Sequence, residues 1–140
     1  MKPSLAAGLT FERRVAVDEP RTIGFMGEGG RVYSTPSLAR DIEQTCRDGL
    51  LEHLDAGEDS VGTRIELDHL APTLLGMAVD IRATIAEVKG RLVTFEITAR
   101  DPLDDIARGK HVRFVSDVQK TVERLKAKAA KAKAAGAAPS

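Results

Sequence analysis

Three polar side chains in the first half of the chain have the types and spacing of an acid–base site. Thr35 stands at a predicted helix start, Glu43 lies on that helix, and His69 ends a later predicted strand. An imidazole can exchange a proton near neutral pH, and a carboxylate can orient it or act on a substrate itself. The structural alternatives are capping for Thr35, a solvent-facing edge position for Glu43 and a hydrogen-bonded structural role for His69.

The helix that carries Glu43 is predicted from about Pro36 to Leu54, because Ser34, Thr35 and Pro36 have the pattern of an N-cap followed by proline in the first turn. Its N-terminal N–H groups could stabilise an oxyanion at a reacting carbonyl. The apolar arc, which also contains Glu43, comprises Leu38, Ala39, Ile42, Cys46, Gly49 and Leu50. The opposite arc comprises Arg40, Asp41, Gln44 and Asp48. Cys46 has no basic neighbour in sequence and is assigned to packing.

Strand patterns flank this helix on both sides. Residues 9–17 alternate imperfectly, three runs after the helix alternate with period two, and a last strand is predicted from Ile106 to Val115. In the first of these runs, the residues predicted to face the helix are Val61, Thr63, Ile65, Leu67 and His69. Turn signals at Lys89-Gly90 and Asp101-Pro102 predict a four-strand antiparallel meander. The Gly-rich segment from Gly24 to Tyr33 is predicted to be a mobile loop or flap.

The order of these elements predicts an α+β fold in which an antiparallel sheet wraps around one long central helix, the layout of a hotdog fold. Residues 1–117 are predicted to form this domain. Residues 118–140 are predicted to form a basic, Ala/Lys-rich C-terminal helix with a disordered tail, because six Lys or Arg residues face a single Glu there. Open strand edges and remaining apolar surface predict a homodimer or a higher homo-oligomer.

Composition excludes several classes of function. The chain has 140 residues, and 21 basic side chains balance 21 acidic ones, so no overall field favours nucleic acid or an anionic membrane. A single cysteine excludes an internal disulfide and a Cys-only metal cluster, and no metal or cofactor is predicted. Met1 to Gly8 lacks the apolar core of a signal peptide, so a soluble cytoplasmic protein is expected.

The last predicted strand adds two polar candidates. His111 and Arg113 share a face with the small residues Ala107 and Gly109, which leave space for another group to approach. They are either surface residues in charge pairs or polar groups of a pocket. The pocket interpretation makes Arg113 a candidate substrate-binding residue.

Two features of the sequence are Thr35 followed eight residues later by Glu43, and the segment GTRIELDHLAPTLLG from Gly62 to Gly76. In both features the chain resembles the fluoroacetyl-CoA thioesterase family of hotdog proteins. The resemblance covers about residues 9–115, and its matching positions are Thr35, Glu43, Gly62, Thr63, Ile65, His69, Ala71, Thr73 and Gly76. It implies that Thr35, Glu43 and His69 form the catalytic group and that Gly62 helps to bind the thioester carbonyl. The implied reaction is hydrolysis of an acyl-CoA in a pocket at a dimer interface.

One segment departs from the family pattern. The stretch before Thr35 is shorter, and GFMGEGGRVY replaces a phenylalanine-bearing lid, so selectivity for fluoroacetyl-CoA is not expected. The attacking group stays open between a Glu43 or Thr35 acyl-enzyme and a water assisted by His69. The alternative functions are an enoyl-CoA hydratase-type hotdog enzyme and a non-catalytic acyl-CoA-binding module.

Overall fold

The structure is a computed structural model, and it describes residues 1–137. The end of the predicted tail, 138–140, lies outside the described residues. The helices and strands are β1 (Thr10–Ala16), β2 (Thr22–Ile23), β3 (Val32–Tyr33), α1 (Thr35–Leu51), β4 (Glu58–His69), β5 (Ala78–Lys89), β6 (Leu92–Arg100), β7 (Asp105–Asp117) and α2 (Val118–Ala134).

Helix α1 begins as its sequence predicts and ends three residues earlier. The Ser34 hydroxyl caps it by accepting from the Ser37 backbone N–H at 3.2 Å. The fully buried members of the predicted apolar arc are Leu38, Ile42, Cys46 and Leu50. The prediction that Asp41 faces solvent is wrong. Asp41 is buried because it accepts hydrogen bonds from the Tyr33 hydroxyl at 2.5 Å and from Arg21 Nε at 2.9 Å.

The main sheet is antiparallel with the strand order β1-β5-β6-β7-β4. The predicted four-strand meander is therefore wrong in one respect, because only β5, β6 and β7 form a meander. Strand β4 pairs with β7 and lies at the sheet edge. Residues 70–77 connect β4 to β5, and this connection is long enough to carry the chain across the sheet instead of closing a tight hairpin.

The core lies between α1 and the inner face of this sheet. Alternate residues of β5 and β6 are buried there: Val79, Ile81, Ala83, Ile85, Val93, Phe95, Ile97 and Ala99. On β1, Phe11 packs against α1 at Gly49, where any side chain would collide with the aromatic ring. The sheet thus wraps around one central helix, and the α+β hotdog prediction is confirmed.

A β-bulge divides β4 into two parts. The register with β7 shifts between Gly62 and Arg64, so that one additional residue, Thr63, stands opposite the partner strand. Alternation changes face across such an insertion. Val61 is therefore 51% exposed, contrary to the sequence prediction, and Ser60 is buried in its place.

The C-terminal helix and most of the Gly-rich segment lie outside the core, and the exception in the segment is Tyr33, which is 1% exposed. The segment ends in β3, which pairs with β2 in a small ribbon, and Phe25 and Met26 between these strands are 84% and 86% exposed. Helix α2 is capped by the Asp117 side chain, which accepts from the Lys120 N–H at 2.9 Å. None of its residues is buried within the described chain. No helix in residues 1–137 is long and apolar enough to cross a membrane.

Candidate active site

Thr35 and His69 meet where α1 begins and β4 ends. Thr35 Oγ1 lies 2.8 Å from His69 Nδ1. Burial lowers the pKa of His69 below its ordinary value, so the imidazole is neutral at pH 7. A neutral ring can accept the Thr35 hydroxyl proton at Nδ1, which is the geometry of a nucleophile beside its base. Both side chains border a cavity of about 310 Å³, together with Tyr33.

The second ring nitrogen of His69 has no partner in the described part of the chain. Nε2 is buried and makes no hydrogen bond to any group within residues 1–137. An unsatisfied buried polar atom costs about 1–3 kcal/mol. The site is therefore unsatisfied in the single chain, and a group able to hydrogen-bond with Nε2 would complete it.

Glu43 forms a second cluster with Gly62. A Cβ atom placed on Gly62 would lie 2.7 Å from Glu43 Oε1, so the carboxylate sits directly against the glycine backbone. That distance is shorter than a carbon–oxygen contact allows, so a side chain at this position would push the carboxylate aside. Glu43 is exposed, which agrees with the edge interpretation of its place on the helix.

Buried polar side chains adjoin this second cluster. His111 is fully buried and Arg113 is 4% exposed, so they are not surface residues. Arg113 Nη1 and His111 Cε1 lie 3.5 Å and 3.0 Å from the same Gly62 Cβ position. A carboxylate oxygen of Glu43 and a guanidinium nitrogen of Arg113 thus lie close to the same glycine, Gly62.

Within one chain the two clusters remain separate. Thr35 and Glu43 are eight residues apart on α1, a rise of about 12 Å along its axis. Among the described residues, Glu43 forms no hydrogen bond to Thr35 or His69. The structure therefore brings Thr35 to His69 and Glu43 to Gly62 and Arg113, and it does not assemble all five in one place.

Sequence reasoning missed two contributors to the site. One is Ser60, which accepts a hydrogen bond from Arg113. Period-two alternation places Ser60 on the outer face of the sheet, because the sequence pattern does not reveal the bulge. Tyr33 is bonded to Asp41 and packs edge-on against His69, with ring centroids 6.5 Å apart. The assignment of Cys46 to packing agrees with its environment, since burial raises the pKa of its thiol to about 12.

A larger depression of about 750 Å³ lies elsewhere on the sheet. Charged side chains of β1 and β5 line part of it, including the Arg14–Asp80 ion pair. It contains Arg13 and Arg100 but none of the site residues predicted from the sequence. The candidate residues therefore lie outside this depression, where α1 contacts β4.

Known proteins resemble this chain over nearly its whole length. The profile of the fluoroacetyl-CoA-specific thioesterase family matches residues 17–119. Fluoroacetyl-CoA thioesterase of Streptantibioticus cattleyicolor is 27% identical over 135 residues, which cover 91% of this chain and 97% of that protein. A crystal structure of a mutant fluoroacetyl-CoA-specific thioesterase has a TM-score of 0.82 at 27% identity, covering 91% of this chain and 99% of its own.

A hot-dog-like protein from Thermanaerovibrio acidaminovorans is 26% identical, with a TM-score of 0.81 over 91% of this chain and 93% of its own. The fold and these similarities define a thioester hydrolase of the hotdog class. Within that class the resemblance is specific and covers most of the chain. The chain belongs to the fluoroacetyl-CoA-specific thioesterase family.

Proposed function

We propose that this protein hydrolyses acyl-CoA thioesters to the free acid and CoA in a pocket at the interface of a homodimer. The proposal depends on one observation: the candidate residues form two separate clusters where α1 contacts β4. One related structure is a complex with fluoroacetate and CoA, which supports a CoA thioester as the substrate class. We further propose that residues 1–117 form the catalytic domain, that α2 is an appendage to it, and that the enzyme acts in the cytoplasm.

The edge strand β4 supports the dimer. Its outer edge has no strand partner among the described residues, and Val61 and Ile65 on this strand are 51% and 40% exposed. Unpaired edges of this kind readily join another chain. A two-fold axis near Ile65 would pair β4 with its copy in the antiparallel sense and would exchange the positions of Gly62 and His69. The Thr35–His69 cluster of one subunit would then face the Glu43–Gly62 cluster of the other.

In the proposed mechanism the two clusters have different roles. His69 Nδ1 takes the proton of Thr35 as Oγ1 attacks the thioester carbon, and the proton then leaves with the CoA thiol. Gly62 of the partner subunit helps to bind the carbonyl oxygen, and Arg113 of the partner subunit binds the substrate through its positive charge. Glu43 of the partner subunit activates the water that hydrolyses the acyl-Thr35 ester. The proposal includes no metal or redox cofactor, because a thioester is activated enough for these groups to suffice.

The test is a screen of short- and medium-chain acyl-CoAs with a thiol reagent, including an enoyl-CoA whose absorbance is followed at the same time. We expect release of one thiol for each acid formed. Loss of enoyl absorbance without thiol would show a hydratase and contradict the proposal. Saturable binding of acyl-CoA with neither change would show a binding module and would contradict it equally.

A further inference from the structure

His111 is a fully buried histidine with both ring nitrogens engaged, and the proposed reaction does not use it. Nδ1 lies 2.8 Å from the backbone carbonyl oxygen of Arg64, and Nε2 lies 3.1 Å from Arg113 Nη1. A carbonyl can only accept and a guanidinium can only donate. The ring is therefore neutral, with its proton on Nδ1. Burial lowers the pKa of His111 and favours this same neutral form.

Arg113 is held by neutral acceptors. Its Nε donates to Ser60 Oγ at 2.7 Å and its Nη2 donates to the Ser60 carbonyl at 2.8 Å, while Nη1 donates to His111. Among residues 1–137 these contacts include no carboxylate. The nitrogen held by His111 is also the one nearest Gly62, opposite the Glu43 carboxylate. The position of the positive charge at the site thus depends on the acceptor that His111 supplies.

The same ring also holds the bulge of β4. The Arg64 carbonyl that accepts from Nδ1 closes the bulge, directly after the additional residue Thr63. The bulge brings Gly62 to the inner face beneath Glu43. Phe95 stacks on the imidazole at a centroid distance of 6.3 Å and an interplanar angle of 27°, which fixes the plane of the ring. One side chain therefore links the backbone at Gly62 to the guanidinium beside it.

We propose that His111 is a positioning residue that holds the Arg113 guanidinium and the bulged backbone of β4 in place around Gly62 and Glu43. It acts through these groups and does not touch the substrate. The inference rests on the proposed function of Gly62, Glu43 and Arg113. Displacement of a reacting group by about 1 Å can cost about 100-fold in rate. Loss of His111 should therefore lower kcat, because Gly62 and Glu43 are displaced, and raise KM, because the substrate-binding Arg113 is displaced.

Three substitutions test the two hydrogen bonds of the His111 ring separately. His111→Phe keeps an aromatic ring against Phe95 and removes both bonds. His111→Gln can place its amide oxygen where Nε2 accepts from Arg113, and His111→Asn can place its amide nitrogen where Nδ1 donates to Arg64. We expect His111→Phe to lose about 10- to 100-fold in kcat. His111→Gln and His111→Asn should each recover part of that loss, because each keeps one of the two hydrogen bonds. The matched control is His53→Gln, which removes a half-buried histidine bonded to Ser4.

A second readout needs no substrate. In ¹⁵N-labelled protein, the Arg113 Nε–H and Gly62 amide resonances should both move in His111→Phe. The Arg113 resonance should stay near its wild-type position in His111→Gln, and the Gly62 resonance should stay near its wild-type position in His111→Asn. If the wild-type protein released no thiol, the proposed function would fail, while the spectra would still decide whether His111 holds these groups. Wild-type kcat in a folded His111→Phe variant, or unmoved resonances in that variant, would overturn the inference. Failure of Gln to rescue while its Arg113 resonance stays in place would overturn it as well.

Discussion

At the scale of single residues, His69 carries the strongest structural indication of chemistry. It contacts the Thr35 hydroxyl through one nitrogen and is unpartnered within residues 1–137 at the other. We expect His69→Ala to lower kcat/KM by about 10²- to 10⁴-fold. The melting temperature should change little, because the substitution removes one hydrogen bond and few core contacts. A rate within a few-fold of wild type would exclude the proposed role, and His53→Ala is the matched control.

The pH dependence of the wild-type rate follows from the same ring. His69 acts as a base only when neutral, and burial lowers its pKa below the ordinary 6.5. The rate should therefore be flat from pH 7 upward until another group titrates. It should fall only as the pH drops through the lowered pKa of His69, where the ring takes up a proton. An acidic limb centred above pH 6.5 in kcat/KM would contradict this assignment.

Glu43 provides the second test at this scale. Glu43→Gln keeps the shape of the side chain but cannot take up a proton from water as a carboxylate does. We expect a loss of about 10²-fold in kcat, measured by thiol release at saturating substrate. Glu43 is exposed and makes no hydrogen bond within the described chain, so folding should not suffer. An unchanged rate would show that Glu43 is only an edge residue of α1.

At the scale of elements, the bulge in β4 explains why the sequence predicted the site only in part. Period-two alternation identified the strand and correctly placed His69 on the helix side. It could not reveal a one-residue insertion, so it placed Val61 on the wrong face and overlooked Ser60. Helical periodicity could not predict that Asp41 is buried either. Its burial depends on hydrogen bonds from Tyr33 and Arg21, which precede the helix.

The pairing of the strands could also be predicted only in part from the sequence. Local turn signals correctly indicated the β5–β6–β7 meander, since each turn is encoded by adjacent residues. The pairing of β4 with β7 joins residues about fifty positions apart, such as Gly62 with Arg113, and no turn encodes it. That pairing is what brings Arg113 to Gly62 and Glu43. The sequence therefore identified the candidate residues but could not show that they form two clusters.

The bulge also yields a prediction. A methyl group on Gly62 would lie 2.7 Å from Glu43 Oε1 and 3.0 Å from His111, so the carboxylate has to move. We expect Gly62→Ala to lower kcat by about 10- to 100-fold with the fold retained. Gly29→Ala is the control, because a methyl group there meets nothing within 4 Å. Equal rates for the two variants would show that the contact has no catalytic role.

The β2–β3 ribbon sets the expected substrate range. Phe25 is 84% exposed and Met26 is 86% exposed, so the segment between these strands does not press an aromatic side chain onto Thr35 and His69. Discrimination then depends on apolar contacts, for which one methylene changes specificity by about 10- to 200-fold. We expect several short to medium acyl-CoAs to be hydrolysed with modest preferences. A kcat/KM for fluoroacetyl-CoA several orders of magnitude above that for acetyl-CoA would refute this.

At the scale of the whole molecule, the proposed active site needs a second copy of the chain. Each subunit carries both clusters, about 12 Å apart along α1, and neither cluster has all the proposed groups. The proposed dimer with paired β4 strands would have two composite sites, each built from Thr35 and His69 of one subunit and Glu43 of the other. Sedimentation equilibrium at micromolar concentration should therefore give a dimer or a larger species.

The most direct test of this account is complementation between two inactive chains. His69→Ala and Glu43→Gln chains are co-expressed with different affinity tags, and the mixed dimer is isolated by tandem purification. If the sites are composite, one site of the mixed dimer carries both changes and the other carries neither, so thiol release should recover to about half of the wild-type rate per dimer. A mixed dimer no more active than the two parent homodimers would show that each site draws its residues from one chain, and would contradict the central claim.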